Sequence, residues 1–220
     1  MGALGKTKRL YHFTSAGYAL SNIKHRRLKI AQIADLNDPF DLRAPRLSSR
    51  QERAIWDKWR SDMSATLGML CFCPHWRNVV MWSHYADKHK GVCLGFDIPE
   101  SKVNQVEYTQ NRPGIDLSHL PTVTDMQRFA SLKSTDWQYE DEWRVWSRLD
   151  QPCEVEGRQL YFHEFDDELR LAEIIVGPLC KVTSSDLHPL VSGYEQQPKL
   201  IKARLAFKSF RVTSQRLGLE

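Results

Sequence analysis

Trp137-Gln-Tyr-Glu-Asp-Glu-Trp-Arg-Val-Trp146 alternates in the period-2 manner of a β-strand. On a strand, residues i and i+2 share a face, so Glu140, Glu142 and Arg144 are expected to project together. Two readings of the carboxylate pair stand side by side. Either the two carboxylates serve one site, walled by Trp137, Tyr139, Trp143 and Trp146, or they are surface groups neutralised by Arg144, a contact worth about 0 to 1 kcal/mol when exposed.

Outward from this stretch the chain keeps to short strands. Arg9-Leu-Tyr-His-Phe-Thr14 alternates, with Leu10, His12 and Thr14 on one face and Tyr11 and Phe13 on the other. Ser15 is a candidate N-cap for a helix carrying Ala19, Leu20 and Ile23, and Ser49-x-x-Glu52 has the form of a capping box ahead of Ile55, Trp56, Trp59 and Met63. Asn37-Asp38-Pro39-Phe40 is a turn signal. Residues 68–72 and 92–97 read as strands, and residues 79–89 read as a helix capped by Gly91. Residues 109–125 read as a loop, followed by a helix near residue 131, a hairpin around Glu156-Gly157 and a strand at residues 174–176. Further strands are expected at residues 200–207 and 210–213.

Many strands, few helices and no regular βαβ alternation give an α+β fold, expected as two packed, mainly antiparallel sheets with flanking helices. The 220 residues show neither repeat nor linker, so residues 1–220 are expected to form a single domain.

The composition excludes several classes. With 41% hydrophobic and 26% charged residues, the chain lies outside the disordered and low-complexity groups. No apolar run reaches the roughly 18 residues needed to span a bilayer, and residues 1–10 lack a signal-peptide core, so an unexported protein without membrane attachment is expected. Five cysteines, an odd number scattered along the chain, suit reduced thiols and a cytoplasmic location. The net charge of +4 permits a polyanionic partner without demanding one. No Gly-x-Gly-x-x-Gly and no Cys-x-x-Cys occurs, which removes support for a Rossmann site and for the common zinc frameworks. Cys71-x-Cys73-x-His75 with His84 and His89 offers soft ligands, but buried thiols and satisfied histidines are the commoner outcome, so no metal is expected.

Taken in order, Asn37-Asp-Pro-Phe40, Met81-Trp-Ser-His-Tyr-Ala86 with His89-x-Gly91-Val92, Val106-x-Tyr108, Lys133, Trp137-x-Tyr-Glu-x-Glu-Trp-Arg144 and Ile174-Ile-Val-Gly-Pro178 resemble the bacterial family DUF2971 over residues 10–180. More remotely, Leu10-Tyr-His-Phe-Thr14 and the helix that ends before Arg27-Leu28 resemble the opening of ADP-ribosyltransferases. That resemblance implies an ADP-ribosyltransferase-like fold in which His12 contacts NAD. It also implies that Cys71-Phe-Cys73 stands where toxin members carry Ser-x-Ser, that Tyr85 packs on nicotinamide, and that Glu140-Asp-Glu142 is the catalytic motif.

Breaking the nicotinamide–ribose bond passes through an oxocarbenium-like state, which a carboxylate bonded to the ribose 2′-OH stabilises. Glu142 is assigned that role, and Glu140 is assigned the orientation or deprotonation of the acceptor. Arg26 or Arg27 would meet the pyrophosphate, although helix-end cations are often merely solvated. The expected function is transfer of ADP-ribose from NAD to a nucleic-acid or protein acceptor, as a toxin or anti-phage effector with a possible antitoxin or immunity partner. Two alternatives differ in class. One is a non-catalytic nucleic-acid or protein-binding module with structural glutamates, and the other is a metal-dependent nuclease using His84, His89 and Glu142.

Overall fold

The computed structural model describes residues 5–216 and 218–219. The chain forms two compact units, each assembled from separated stretches. The first takes the chain up to Leu28, then Phe72–Val103, then from His163 onward; the second takes Lys29–Cys71 and Asn104–Phe162.

The first unit is built on a five-stranded sheet in the order Thr7–Thr14, Val92–Pro99, Arg170–Val176, Lys199–Leu205 and Val212–Ser214. Val92-Cys-Leu-Gly-Phe is apolar at nearly every position because both faces of this inner strand are covered, and Val92, Leu94 and Phe96 are fully buried. Its neighbours on either side run antiparallel to it, whereas Arg170–Val176 and Lys199–Leu205 run parallel. A parallel pair needs a crossover. Helix Ser184–Val191, opened by a Thr183–Asp186 capping box, lies within that connection. Helix Ala16–His25 starts at the Ser15 cap and stops at Arg26 (φ 49°), with Lys24 and His25 in its last turn, where cations suit the helix dipole.

In the second unit, helix Arg50–Ser64 begins with the Ser49–Glu52 capping box that the sequence signals. It buries Trp56, whose ring meets Phe129 edge-on at 5.3 Å and whose Nε1–H donates to the Leu42 carbonyl at 2.8 Å. Ala31–Gln32, Leu67–Phe72, Trp143–Arg148 and Asn104–Gln105 form a four-stranded sheet, in that order. Glu107–Thr109 pairs in parallel with Leu132–Ser134, and helix Val123–Ala130 leads into the latter strand. The hairpin Pro152–Val155/Arg158–Glu164 turns through Glu156 (φ 50°) and Gly157 (φ 74°), a two-residue turn with both central residues left-handed.

The α+β class holds, with two departures in sheet organisation. The strands divide among more than two sheets, and two of the pairings are parallel rather than antiparallel. Locally, residues 137–146 are not one strand. Ser134 caps a 3-10 helix, Thr135–Glu140, and Asp141 (φ 45°) reverses the chain before the strand opens at Trp143. Capping and a left-handed residue here override the alternation. Residues 79–89 likewise do not form one helix, which ends at Tyr85. Asp87, Lys88 and His89 follow with φ of 44°, 52° and 71°. Gly91 is no helix cap: a Cβ there would lie 2.2 Å from the Thr14 carbonyl oxygen, so glycine permits close packing of the turn on the first strand.

Candidate functional site

The densest polar cluster lies in the second unit, where Asp41, Lys133, Glu140, Glu142 and Arg144 are all buried. Its geometry starts from the Asn37-Asp38-Pro39-Phe40 turn. The Asp38 carboxylate accepts from the Phe40 N–H at 2.8 Å, and the Asp41 N–H returns to the Asp38 carbonyl at 3.1 Å. The turn therefore sends Asp41 inward (2% exposed) and Phe40 outward (59% exposed).

Arg144, on the strand Trp143–Arg148, donates all five of its N–H bonds. Two go to Asp41 at 2.8 and 2.9 Å, two to Glu142 at 2.9 and 3.0 Å, and one to the Ala130 carbonyl at 2.9 Å. Lys133 donates to Glu140 at 2.6 Å and to Glu142 at 3.1 Å, and its ammonium lies 4.8 Å from the centroid of the Trp137 ring. The Tyr108 hydroxyl accepts from the Glu142 N–H at 2.8 Å, which fixes the residue that joins the 3-10 helix to the strand.

The electrostatics follow from this packing. Burial pushes the Glu142 carboxyl up, but Arg144, Lys133 and the Cys71 thiol together overcome it and hold the group at about 2. For Asp41 burial wins despite Arg144, and its pKa is raised. Burial also raises the Cys71 thiol, with the Glu142 charge adding to the effect, so Cys71 is a neutral donor rather than a nucleophile. Burial and the neighbouring carboxylates push Tyr108 up to about 12. A buried ionic network of this kind costs several kcal/mol per partner removed, because each loss strands an uncompensated charge.

A pocket of about 330 Å³ opens beside the cluster in the same unit. Lys133 lines it together with Phe40, Arg43, Arg112, Asn111 and Thr109, and no carboxylate does. The Arg112 guanidinium lies 4.8 Å from the centroid of the Phe40 ring, and Arg43 is held by Asp57 at 3.6 Å. Cations, amide and hydroxyl groups and one exposed aromatic ring make this a site for an anion that carries a planar ring.

The sequence-predicted residues divide between the units. Glu140, Glu142 and Cys71 belong to the second, where the two glutamates meet on Lys133 although they share no strand face. His12, Cys73 and Tyr85 belong to the first. His12 stacks edge-on against Phe72 at 6.0 Å, and Tyr85 stacks edge-on against His84 at 6.1 Å. Cys73 is buried and exchanges backbone hydrogen bonds with Tyr11 at 2.8 and 2.9 Å. Sequence reasoning missed Asp41, Arg43 and Arg112 as site residues and used Lys133 only as a family marker. The turn signal ahead of Asp41 was the available clue.

All five cysteines are free. Among the described residues no group of three or more His, Cys, Asp or Glu side chains is arranged to hold a metal ion. No helix among them is long and apolar enough to cross a membrane.

Residues 81–116 match the model of a family described as a protein of unknown function (DUF2971), in agreement with the resemblance drawn from the motifs there. No curated protein and no solved structure gives a match.

Proposed function

We propose that the second unit binds a nucleotide in the Phe40–Arg112 pocket, that this nucleotide is NAD, and that the protein transfers ADP-ribose from it to a macromolecular acceptor. One observation carries the reading: Glu140 and Glu142 converge on Lys133, and Lys133 also lines a cationic pocket with an exposed aromatic ring. Arg43 and Arg112 suit the pyrophosphate as bidentate donors, and Phe40 suits a base as a stacking surface. The lowered pKa keeps Glu142 ionised, as a group that stabilises developing positive charge on the ribose must be. In the structure Glu142 already accepts from Arg144, Lys133 and Cys71. Accepting from a ribose 2′-OH therefore requires Lys133 to yield its contact, and Glu140 retains the ammonium while it does so.

The saturation of Glu142 favours a second reading, in which the network is structural and the protein binds the nucleotide without cleaving it. Titration calorimetry with NAD and chromatographic measurement of released nicotinamide separate the two. Binding with nicotinamide release that falls about 10²- to 10³-fold in Glu142→Gln supports transfer. Binding without release supports the second reading. Absence of NAD binding removes both.

A further inference from the structure

The first unit carries a feature that neither the site nor the family match uses. Strands Lys199–Leu205 and Val212–Ser214 form an antiparallel hairpin, and the loop between them presents Phe207 (91% exposed) and Phe210 (99% exposed) to solvent, with Leu205 half-exposed beside them. Full exposure of two phenylalanines costs solvation with no packing return, and a concentrated apolar patch is a mark of an interaction surface. The loop is not loose: the Ala206 N–H donates to Arg211 O at 3.0 Å and the Arg211 N–H to Ser209 O at 2.9 Å. Its base is tied to the 74–78 segment, where Arg77 donates to the Thr213 hydroxyl at 3.0 Å and its carbonyl accepts from the Val212 N–H at 3.2 Å.

Charge tells what the patch faces. Residues 199–216 contain Lys199, Lys202, Arg204, Lys208, Arg211 and Arg216 and no acidic residue. The Arg204 guanidinium lies 4.9 Å from the Phe207 ring centroid, and that of Arg77 lies 4.5 Å from the Trp76 ring. Beside the loop, His75, Arg77, Asn78, Val79, Phe210 and Arg211 line a pocket of about 570 Å³. Exposed rings set among cations, next to a concave pocket with side-chain amide and imidazole groups, match a partner made of planar apolar rings strung on a polyanionic backbone. An anionic lipid surface would use the cations and the phenylalanines but not the polar pocket.

We infer that the Phe207–Phe210 hairpin is a docking surface for single-stranded nucleic acid, with bases stacking on Phe207 and Phe210 and phosphates held by Arg77, Lys208 and Arg211. The inference is independent of the nucleotide reading of the second unit.

The test is fluorescence anisotropy of the full-length protein with fluorescein-labelled oligothymidine and oligouridine of about 20 nucleotides, with cosedimentation on phosphatidylserine-containing vesicles run in parallel. Oligonucleotide binding is expected to weaken steeply with salt. Phe207→Ala/Phe210→Ala should lower affinity by at least tenfold, as expected for two lost stacking surfaces. Its melting temperature should stay unchanged, because neither ring is packed. Lys208→Gln/Arg211→Gln should reduce the slope of log affinity against log salt by about two. No oligonucleotide binding at low salt, binding unchanged in the double phenylalanine variant, or vesicle binding in place of oligonucleotide binding would each overturn the inference.

Discussion

Asp41 and Arg144, 103 residues apart in sequence, meet side by side in a buried bidentate pair at 2.8 and 2.9 Å. The pair ties the Asn37–Phe40 turn to the strand that follows Glu142, so the exposed ring of Phe40 is held in register with the carboxylate cluster. Removing Arg144 strands two carboxylates at once. Arg144→Met is therefore expected to destabilise the protein by about 3 to 5 kcal/mol in urea unfolding, and Asp41→Asn by less, since one carboxylate partner of Arg144 remains. Equal losses for the two variants would show that Glu142 gains nothing from Arg144.

Acid should act on the cluster through Glu142. Its folded-state pKa of about 2 lies below the ordinary 4.5, so its contribution is complete above about pH 4.5 and disappears as the pH falls toward 2. Asp41, raised by burial, works in the opposite sense and favours the folded state as it takes up a proton. The stability gap between the native protein and Glu142→Gln should thus narrow by about 3 kcal/mol between pH 5 and pH 2, as read from urea midpoints. A gap that stays constant with pH would remove the assignment.

At the alkaline end Tyr108 is the reporter. Its pKa is raised to about 12, so the stability it lends is complete below its ordinary value of 10 and is lost as the pH rises through 12. Tyr108→Phe should flatten that part of the alkaline unfolding curve. It should also cost about 1 to 3 kcal/mol at neutral pH, because the Glu142 N–H would lose its acceptor. An unaltered alkaline limb in the variant would place the titration elsewhere.

Phe40 and Arg112 lie at the pocket and outside the buried network, which separates binding from folding. Phe40→Ala and Arg112→Gln are each expected to weaken NAD binding by about 5- to 100-fold in calorimetry, the range of a lost stack or a lost charged hydrogen bond. Their thermal midpoints should stay within about 2 °C of the native protein. Full affinity in both variants would move the ligand away from this pocket.

Gly91→Ala tests packing in the first unit. The added methyl would lie 2.2 Å from Thr14 O and 2.9 Å from Ala86 backbone atoms, none of which is a yielding side-chain tip. A loss of about 3 kcal/mol or more is expected in denaturant unfolding, whereas Gly17→Ala, which meets nothing within 4 Å, should be neutral or stabilising.

Much of the local structure was legible. Capping at Ser15 and Ser49, the strand at Thr7–Thr14 and the turn at Glu156-Gly157 all rest on residue types whose preferences act within a few positions. The 137–146 stretch was misread because its alternation concealed a reversal at Asp141, a residue type that tolerates φ above zero without advertising it as glycine does. The two glutamates could be named from their spacing, but their partners could not. Lys133 precedes Glu140 by seven residues through a 3-10 helix, and Asp41 reaches Arg144 across 103 positions, distances at which no sequence periodicity carries information. The cationic pocket was invisible for the same reason: Arg43 and Arg112 come from different loops.

The interleaving of the two units has a consequence for synthesis on the ribosome. Val92–Pro99 is apolar on both faces, yet one of its two sheet neighbours, Arg170–Val176, is translated more than seventy residues later. The nascent chain must carry this strand with one edge unpaired until nearly four-fifths of the protein has been made. Meanwhile the second unit can finish first, since its last residue precedes His163. Vectorial folding would therefore run from the inserted unit to the one that encloses it in sequence. The exposed edge of Val92–Pro99 is then the place where holding chaperones, or aggregation in their absence, would act.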